Sequence, residues 1–227
     1  MAQAAQAEGV QVQALASEPP RGPNPLPVPC RLHAFDHVDS VVSQMRGFDA
    51  VLDASHGFDD TLSRMGFAAA VQLGLPFLSY RRPLWSRAGN DSWQRAANAR
   101  DAMGLVGAGA RVFSAAGWAS MPDCAEFPGA RLFLRQTQPH DRDAPYDFVQ
   151  LVFGDPPFTP DSEAELFKAL QIDTLVARNL GGQASRPKLD AAIALGLQVI
   201  LIDPPALPEG VKVVQDVDAA LAWVAAQ

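Results

Sequence analysis

The stretch Thr174-Leu-Val-Ala-Arg-Asn-Leu-Gly-Gly182 continues through Pro187-Lys-Leu-Asp-Ala-Ala192 to Val199-Ile-Leu-Ile202, and it decides the fold. Thr174–Ala177 and Val199–Ile202 are short apolar runs that predict buried strands, and Ser185–Leu195 between them has the spacing of a helix. A strand–helix–strand unit of this kind predicts two parallel strands joined by a right-handed crossover.

The same alternation of short apolar runs and helical segments extends over most of the chain. Further strands are predicted at 10–16, 50–54, 77–80, 111–115, 131–136 and 149–153, and further helices at 39–45, 61–73, 100–106, 120–125, 161–170 and 216–226. Strands that alternate with helices of about ten residues are typical of an α/β fold with mostly parallel sheets. The glycine-rich segment Gly104–Gly109 separates two such α/β blocks, so we predict domains at 1–106 and 107–227.

Composition and charge exclude several classes of protein. Hydrophobic residues make up 48% of the 227 residues, which is enough for a packed core. The net charge of −7 argues against general binding of nucleic acid or of an anionic membrane. No apolar run approaches the roughly 18 residues of a membrane span. Cys30 and Cys124 have no metal-binding spacing, so we expect reduced thiols in a cytoplasmic protein.

Candidate ligand-binding residues follow the predicted strands, because the carboxyl ends of parallel strands meet at the sheet edge where ligands bind. The segment Asp53-Ala-Ser-His-Gly-Phe-Asp59 follows one of these strands. We interpret it as a ligand-contacting loop in which His56 donates a hydrogen bond or a proton. A capping turn around Ser55 with an exposed histidine is the alternative.

A second segment of this kind, Arg178-Asn-Leu-Gly-Gly182, precedes a predicted helix that carries Arg186 and Lys188. Paired glycines let a backbone approach a ligand closely, and Arg178 and Lys188 supply positive charge. We therefore predict an anion site for carboxylate or phosphate at this place. The alternative is an ordinary strand-to-helix turn with basic surface residues.

Three further segments carry weaker signals. Ser114-Ala-Ala-Gly-Trp118 fits either a flat ligand beside the tryptophan or a tight turn with the tryptophan in the core. Arg81 and Arg82 follow another strand and are either anion ligands or solvated. Arg21, in a proline-rich loop after the first predicted strand, has the position at which an arginine accommodates the 2′-phosphate of a dinucleotide. The sequence contains no GxGxxG, GxxxxGK, HExxH or GxSxG motif.

Four of these segments, in this order, resemble the precorrin-6A reductase family of cobalamin biosynthesis. They are Asp53-Ala-Ser-His-Gly-Phe58, Arg82-Pro-Leu-Trp85, Arg178-Asn-Leu-Gly-Gly182 and Pro187-Lys-Leu-Asp-Ala-Ala192. The family typically has D-A-T-H-P-F, R-P-P-W, T-K-N-S-G-G and K-L-D-A-A in this order, and the resemblance extends over residues 10–224. The chain departs from the family at Gly57, Arg178 and Leu180, and Ser114–Trp118 stands where the family has a T-T-G-like turn.

The resemblance implies an NADPH-dependent oxidoreductase that reduces a C=C bond of precorrin-6A or cobalt-precorrin-6A to the 6B form. It implies two Rossmann-like domains with a ligand cleft between them and with NADPH bound mainly to the N-terminal domain. The expected partner is the tetrapyrrole, with neighbouring corrin-pathway enzymes as candidate protein partners, and neither nucleic acid nor membrane. The substrate-side candidates are Ser55, His56, Arg178, Asn179, Gly181, Gly182 and Lys188, with His56 also the candidate proton donor, and the cofactor-side candidates are Ser17, Arg21 and Asp53.

Two other hypotheses stay open. A relative that has lost cofactor binding would only hold or pass on a tetrapyrrole, and a nucleotide-binding α/β protein would bind nucleotides without tetrapyrroles. The family opens with a strand and a G-G-T-x-E-A loop that this sequence lacks, and Met1–Gly9 has the pattern of the end of a helix. We therefore expect about 15–20 further residues upstream of Met1, which would form a strand and a phosphate-binding loop.

Overall fold

The chain divides into two compact units, each described here by itself. The computed structural model describes residues 1–7, 9–19, 26–86 and 93–227. Unit 1 consists of Met1–Arg82 together with Pro205–Gln227, and unit 2 is the continuous segment Pro83–Pro204.

These units differ from the domains predicted at 1–106 and 107–227. The physical reason is strand pairing. Trp93–Ala96 pairs within the large sheet of unit 2, and Lys212–Val214 pairs within a sheet of unit 1. The glycine-rich segment Gly104–Gly109, which the sequence predicts as the domain boundary, therefore lies inside unit 2.

Eleven strands and seven α-helices, together with one 3₁₀ helix, make up the described part of the chain. In chain order they are α1 (Ala2–Ala7), β1 (Ala14–Ala16), β2 (Cys30–Leu32), α2 (Val38–Met45), β3 (Val51–Asp53), α3 (Asp60–Leu73), β4 (Phe77–Tyr80), β5 (Trp93–Ala96), α4 (Ala99–Gly104), β6 (Arg111–Ala115), the 3₁₀ helix (Trp118–Cys124), β7 (Arg131–Gln136), β8 (Val149–Phe153), α5 (Pro160–Ala169), β9 (Thr174–Arg178), α6 (Pro187–Ala194), β10 (Gln198–Ile202), β11 (Lys212–Val214) and α7 (Val217–Ala225).

Unit 1 contains two separate parallel sheets. Strand β1 pairs with β2, and β4 lies between β3 and β11. Helix α3 begins after Asp59, whose carboxylate accepts a hydrogen bond from a first-turn backbone N–H at 3.3 Å. It ends at Gly74, whose φ of +67° is a left-handed conformation that glycine adopts without strain. Helices α2 and α3 pack through a small apolar core around Val41, Val42 and Ala69.

Unit 2 is built on one six-stranded sheet in the order β5-β10-β9-β6-β7-β8, and every pairing in it is parallel. The core residues Phe113, Phe133, Leu175 and Leu201 are each at most 1% exposed. From β6 the chain moves through β7 to β8 on one side of the sheet, and from β9 it moves to β10 on the other. The carboxyl ends of β6 and β9 therefore flank the switch point, which is where open parallel sheets bind ligands.

The predicted α/β fold with mostly parallel sheets is confirmed. The sequence pattern does not predict β2, β5 and β11, which are only 3, 4 and 3 residues long. Each of them contains charged or polar residues in place of an apolar run, whereas β1 and β3, which also have 3 residues, lie within the longer patterned segments 10–16 and 50–54. The helix predicted at 120–125 is a 3₁₀ helix with Pro122 inside, because proline has no N–H for a regular helical ladder.

Three further properties concern the class of protein. Among the described residues, no helix combines the length and the apolar character needed to cross a bilayer. Cys30 and Cys124 are both free cysteines. Within the described ranges, no three His, Cys, Asp or Glu side chains are grouped as metal ligands.

Candidate functional site

At the carboxyl ends of β3 and β4 in unit 1, Asp53 and Arg81 form a buried polar network. Arg81 Nη2 lies 3.0 Å from Asp53 Oδ2, and the Ser79 hydroxyl donates to the same oxygen at 2.9 Å. The backbone N–H of Ser55 donates to Asp53 Oδ1 at 3.0 Å. Arg81 also donates to the Ser63 hydroxyl at 2.6 Å and to the Ser55 carbonyl at 3.1 Å. Both carboxylate oxygens of Asp53 are therefore engaged by groups of the protein itself.

The charge state of Asp53 follows from this network. Burial of the side chain, which is 7% exposed, would raise its pKa. Hydrogen bonds from Ser55 and Ser79 and the charge of Arg81 outweigh burial, so the pKa of Asp53 lies below the usual carboxyl range. The ionised carboxylate thus holds Arg81 against the loop after β3. A direct contact between Asp53 and a cofactor stays a prediction.

His56 lies in the loop after β3 with an exposed side chain. Its Nδ1 accepts a hydrogen bond from the Phe58 N–H at 3.2 Å, so the neutral ring carries its proton on Nε2. Ser55 is half-buried, and its hydroxyl oxygen lies 3.1 Å from that of Ser63. The structure therefore brings Ser55 and His56 to the carboxyl end of β3.

The two other predicted cofactor residues follow β1. Ser17 comes directly after the last residue of β1 and is exposed, whereas Arg21 lies outside the described residues. Hydroxyl and ring N–H groups such as those of Ser17 and His56 fit the sugar hydroxyls of a dinucleotide. The Arg81 guanidinium is enclosed by Asp53 and Ser63, so its charge is already compensated. Ser17 and His56 thus suit ribose hydroxyls by their chemistry, and the pairing of Arg81 with Asp53 makes that arginine a weaker candidate for the phosphates.

Asp53→Asn is expected to lower the free energy of unfolding by about 2 kcal/mol at neutral pH, because Arg81 loses a buried charged partner. The folded-state pKa of Asp53 is lowered, so its stabilising contribution is complete above the unfolded value of about 4 and is lost as the pH falls through the folded value. The difference in the free energy of unfolding between wild type and Asp53→Asn should therefore become smaller at acid pH. Urea unfolding at a series of pH values measures it, and a difference that stays constant down to pH of about 2 would contradict the assigned pKa direction.

In unit 2, Asn179 connects two of the sequence motifs. Its Oδ1 accepts from the Trp85 N–H at 2.9 Å, and its Nδ2 donates to the Trp85 carbonyl at 3.1 Å. The indole N–H of Trp85 donates to the Gly182 carbonyl at 3.2 Å. Asn179 is 1% exposed, so its amide serves as a structural clamp. This differs from its predicted role as a substrate ligand, because the backbone N–H and carbonyl of Trp85 already form hydrogen bonds with both polar atoms of the Asn179 amide.

Arg178 is the last residue of β9 and lies at the switch point of unit 2. A Cβ on Gly117, in the loop after β6, would lie 3.5 Å from Arg178 Nη2, so the guanidinium rests against the backbone of that loop. Burial lowers the pKa of Arg178, which still leaves the group charged. Gly181 and Gly182 have φ values of +62° and +73°, so the backbone after β9 turns in a conformation that favours glycine. The structure thus brings Arg178 and both glycines to one sheet edge.

Lys188, in the first turn of α6, belongs to a charge cluster that the sequence does not predict. Its Nζ donates to the Ser185 carbonyl at 2.7 Å. Arg135 of β7 and Glu163 of α5 form an ion pair at 2.6 Å, with side chains only 9% and 4% exposed. Burial lowers the pKa of Lys188, attraction by Glu163 opposes this, and Arg135 adds to the lowering. Lys188 therefore lies near a carboxylate that Arg135 already pairs with.

Comparison with known proteins identifies the family. The family model described as Precorrin-6x reductase CbiJ/CobK matches residues 1–225. The chain belongs to this family. A precorrin-6A reductase of Rhodococcus erythropolis is 35% identical over 227 residues, with 97% of this chain and 91% of the relative covered. A precorrin-6A reductase of Rhodobacter capsulatus is 32% identical over 202 residues, which cover 88% of this chain and 80% of the relative.

A solved structure described as CobK precorrin-6A reductase has the same fold. The TM-score is 0.85 at 29% sequence identity, and the match covers 99% of this chain and 92% of the other. This likeness agrees with the family assignment and with the parallel α/β architecture.

Three functional-site neighbours were not identified from the sequence of this family member: Trp85 as the partner of Asn179, and the pair Arg135 and Glu163. Arg135 follows the apolar run Leu132–Leu134 of β7 and precedes Gln136, a pattern that an ordinary solvated charge at a strand end would also give. Its burial and its partner, 28 residues further along the chain, follow only from the fold.

Proposed function

We propose that this chain reduces a C=C bond of precorrin-6A, or of its cobalt form, with NADPH as reductant, as a step of cobalamin biosynthesis. The observation that carries the proposal is the family match over residues 1–225 together with 35% identity to a precorrin-6A reductase across 97% of the chain. When bound, NADPH supplies the hydride, and the protein supplies binding, orientation and a proton.

On the cofactor side, we assign Ser17, Arg21 and Asp53. The support is that Ser17 follows β1 and Asp53 ends β3, since ligands of parallel sheets lie at carboxyl ends of strands. Asp53 acts as a positioning residue, because its carboxylate fixes the loop that carries Ser55. Arg21 is assigned to the 2′-phosphate on sequence position alone.

On the substrate side, we assign Ser55 and His56 in unit 1 and Arg178, Gly181, Gly182 and Lys188 in unit 2. Reduction of a C=C bond adds a hydride and a proton, and His56 is our candidate to hold the proton, at Nε2. The support is the hydrogen bond from the Phe58 N–H to Nδ1, which directs the proton to the other ring nitrogen. Arg178 and Lys188 would meet peripheral carboxylates of the macrocycle.

Arg178→Ala and Lys188→Ala are each expected to weaken tetrapyrrole binding by about 1.5–3 kcal/mol and to change NADPH binding much less, because each removes a charge-assisted contact. Binding is measured by equilibrium dialysis of each ligand separately. Arg46→Ala, which removes an exposed arginine at the end of α2, is the matched control. Unchanged tetrapyrrole affinity in both variants would remove the anion site from the proposal.

The proposed activity is tested by following NADPH absorbance while the purified chain is mixed with precorrin-6A, with cobalt-precorrin-6A and with NADH in place of NADPH. Consumption of NADPH that depends on one of the two tetrapyrroles is the expected result. Tetrapyrrole binding without any consumption of NADPH or NADH would overturn the proposal in favour of a non-catalytic binding protein. Tight nucleotide binding without tetrapyrrole binding would favour a nucleotide-binding protein instead.

A further inference from the structure

An aromatic cluster lies at the carboxyl ends of β6, β7 and β8 in unit 2. The His140 ring packs edge-on against Trp118 at a centroid distance of 5.3 Å and against Phe153 at 5.3 Å. Trp118 follows β6, His140 follows β7, and Phe153 ends β8. Because these strands are parallel neighbours, the three rings share the sheet edge that also carries Arg178 at the end of β9.

Hydrogen bonds fix the central ring of this cluster. The His140 Nδ1 accepts from the Arg142 N–H at 3.1 Å, so the neutral ring carries its proton on Nε2. That nitrogen lies 3.1 Å from Gln136 Oε1, and the Gln136 amide donates to the Arg135 carbonyl at 2.9 Å. Both ring nitrogens are therefore used within unit 2, and His140 acts as a rigid support for its two aromatic neighbours.

The outer members of the cluster are not buried. Phe153 is 50% exposed, and Trp118 is half-buried. Three contacting aromatic rings that stay partly exposed at one sheet edge form an apolar patch, and such a patch indicates a ligand-binding surface more than a single exposed residue does. The cluster therefore offers apolar area on a rigid support.

Positive charge accompanies this apolar surface. The Arg142 guanidinium lies 5.6 Å from the centroid of the Trp118 ring, and within the described ranges Arg142 makes no ion pair. Arg178 rests against Gly117, the residue before Trp118. Arg142 lies between Asp141 and Asp143 in sequence and forms an ion pair with neither of them among the described residues, so its guanidinium beside the Trp118 ring can pair with an anion that also has an apolar body.

We propose that Trp118, Phe153 and Arg142 recognise the rim of the tetrapyrrole, with apolar contact from the two rings and a salt bridge from Arg142 to a peripheral carboxylate. This inference rests on the proposed function, because the macrocycle is the substrate proposed there. A flat apolar ring with carboxylates at its rim can contact the two aromatic side chains with its face or edge and can pair with Arg142 through a carboxylate. Trp118, Phe153 and Arg142 are specificity-determining residues, and His140 is a positioning residue that holds the two rings.

The test measures the Kd of precorrin-6A by equilibrium dialysis at low and high salt, with tetrapyrrole absorbance as the readout. Trp118→Ala is expected to weaken binding about tenfold, and Trp118→Phe, which keeps a flat ring, less than about threefold. Arg142→Ala is expected to weaken binding about fivefold at low salt and much less at high salt, because salt screens the lost charge. Arg142→Lys should recover part of the loss. Trp223→Phe and Arg46→Ala, which change a tryptophan and an arginine of unit 1, should stay close to wild type.

The outcomes separate this proposal from the proposed function. If wild type consumes NADPH with precorrin-6A and the variants bind it as tightly as the controls do, the cluster is only structural and the proposal is wrong. If wild type binds precorrin-6A without consuming NADPH and the variants lose binding, the proposal holds and the proposed activity fails. Should Trp118→Ala not fold, the exposed Arg142 variants decide the question, since equal Kd values for wild type and Arg142→Ala at both salt concentrations overturn the assigned salt bridge.

Discussion

Glu163→Ala is expected to lower the free energy of unfolding by about 3–5 kcal/mol, because it leaves the Arg135 guanidinium buried without its counter-charge. The Arg135 side chain is 9% exposed, and its Nε has no hydrogen-bond partner among the described residues. The guanidinium also packs over Phe158, with its Cζ 4.1 Å from the ring centroid, so it cannot reach water without disturbing that contact. Urea unfolding followed by circular dichroism measures the loss.

The double variant Arg135→Met with Glu163→Leu is the control for this prediction. Replacing both buried charges by apolar side chains removes the desolvation cost as well as the attraction, so most of the stability lost in Glu163→Ala should return. A double variant as unstable as Glu163→Ala would mean that the loss comes from packing of the Glu163 side chain. A single variant within about 1 kcal/mol of wild type would mean that the ion pair carries little stability.

Asn179→Ala is the second variant with a large expected effect, a decrease of about 2–6 kcal/mol in the free energy of unfolding. It leaves the N–H and the carbonyl of Trp85 without their partners, and each unsatisfied buried group costs about 1–3 kcal/mol. Trp85 is 9% exposed and also donates to Gly182, so the loop after β9 should loosen with it. Unfolding in urea gives the free energy, and a shift of tryptophan fluorescence toward longer wavelength reports exposure of Trp85.

Asn98→Ala provides a matched comparison in the same unit. The Asn98 side chain accepts from the Asp101 N–H at 2.8 Å at the exposed start of α4, so its loss should cost only about 1 kcal/mol. The contrary result would be an equal decrease in the free energy of unfolding in both variants, with a sharp drop in tetrapyrrole affinity in Asn179→Ala alone. That result would identify Asn179 as a ligand-binding residue.

How far the sequence determines these features depends on the length of the pattern that encodes them. The βαβ unit around β9, α6 and β10 follows from apolar runs of four to five residues with a helix between them, and the structure has these elements within about two residues of the prediction. Strand β11 has only 3 residues, two of them exposed, so neither its existence nor its return to unit 1 is visible in the sequence. The domain boundary is displaced for that reason.

The residues of the candidate site also differ in how far the sequence predicts them. Arg178 and the two glycines lie where the sequence predicts, because their position at the end of a strand fixes the edge that they share. Asn179 lies there too, but its burial and its two bonds to a residue 94 positions earlier depend on the packed fold. The pairing of Arg135 with Glu163 is of this second kind, since neither position differs in sequence from an ordinary solvated charge.

The division of unit 1 between two stretches of sequence has a consequence for biosynthesis. Strand β4 is the middle strand of its sheet, and its partner β11 leaves the ribosome only after the whole of unit 2. Unit 2, whose six strands are contiguous in sequence, can complete its sheet first, although its segment is translated second. During that interval one edge of β4 has no hydrogen-bonded neighbour. Unpaired strand edges promote the aggregation of nascent chains. A translational pause placed between β10 and β11 should therefore lower the soluble yield, whereas the same pause after β11 should not.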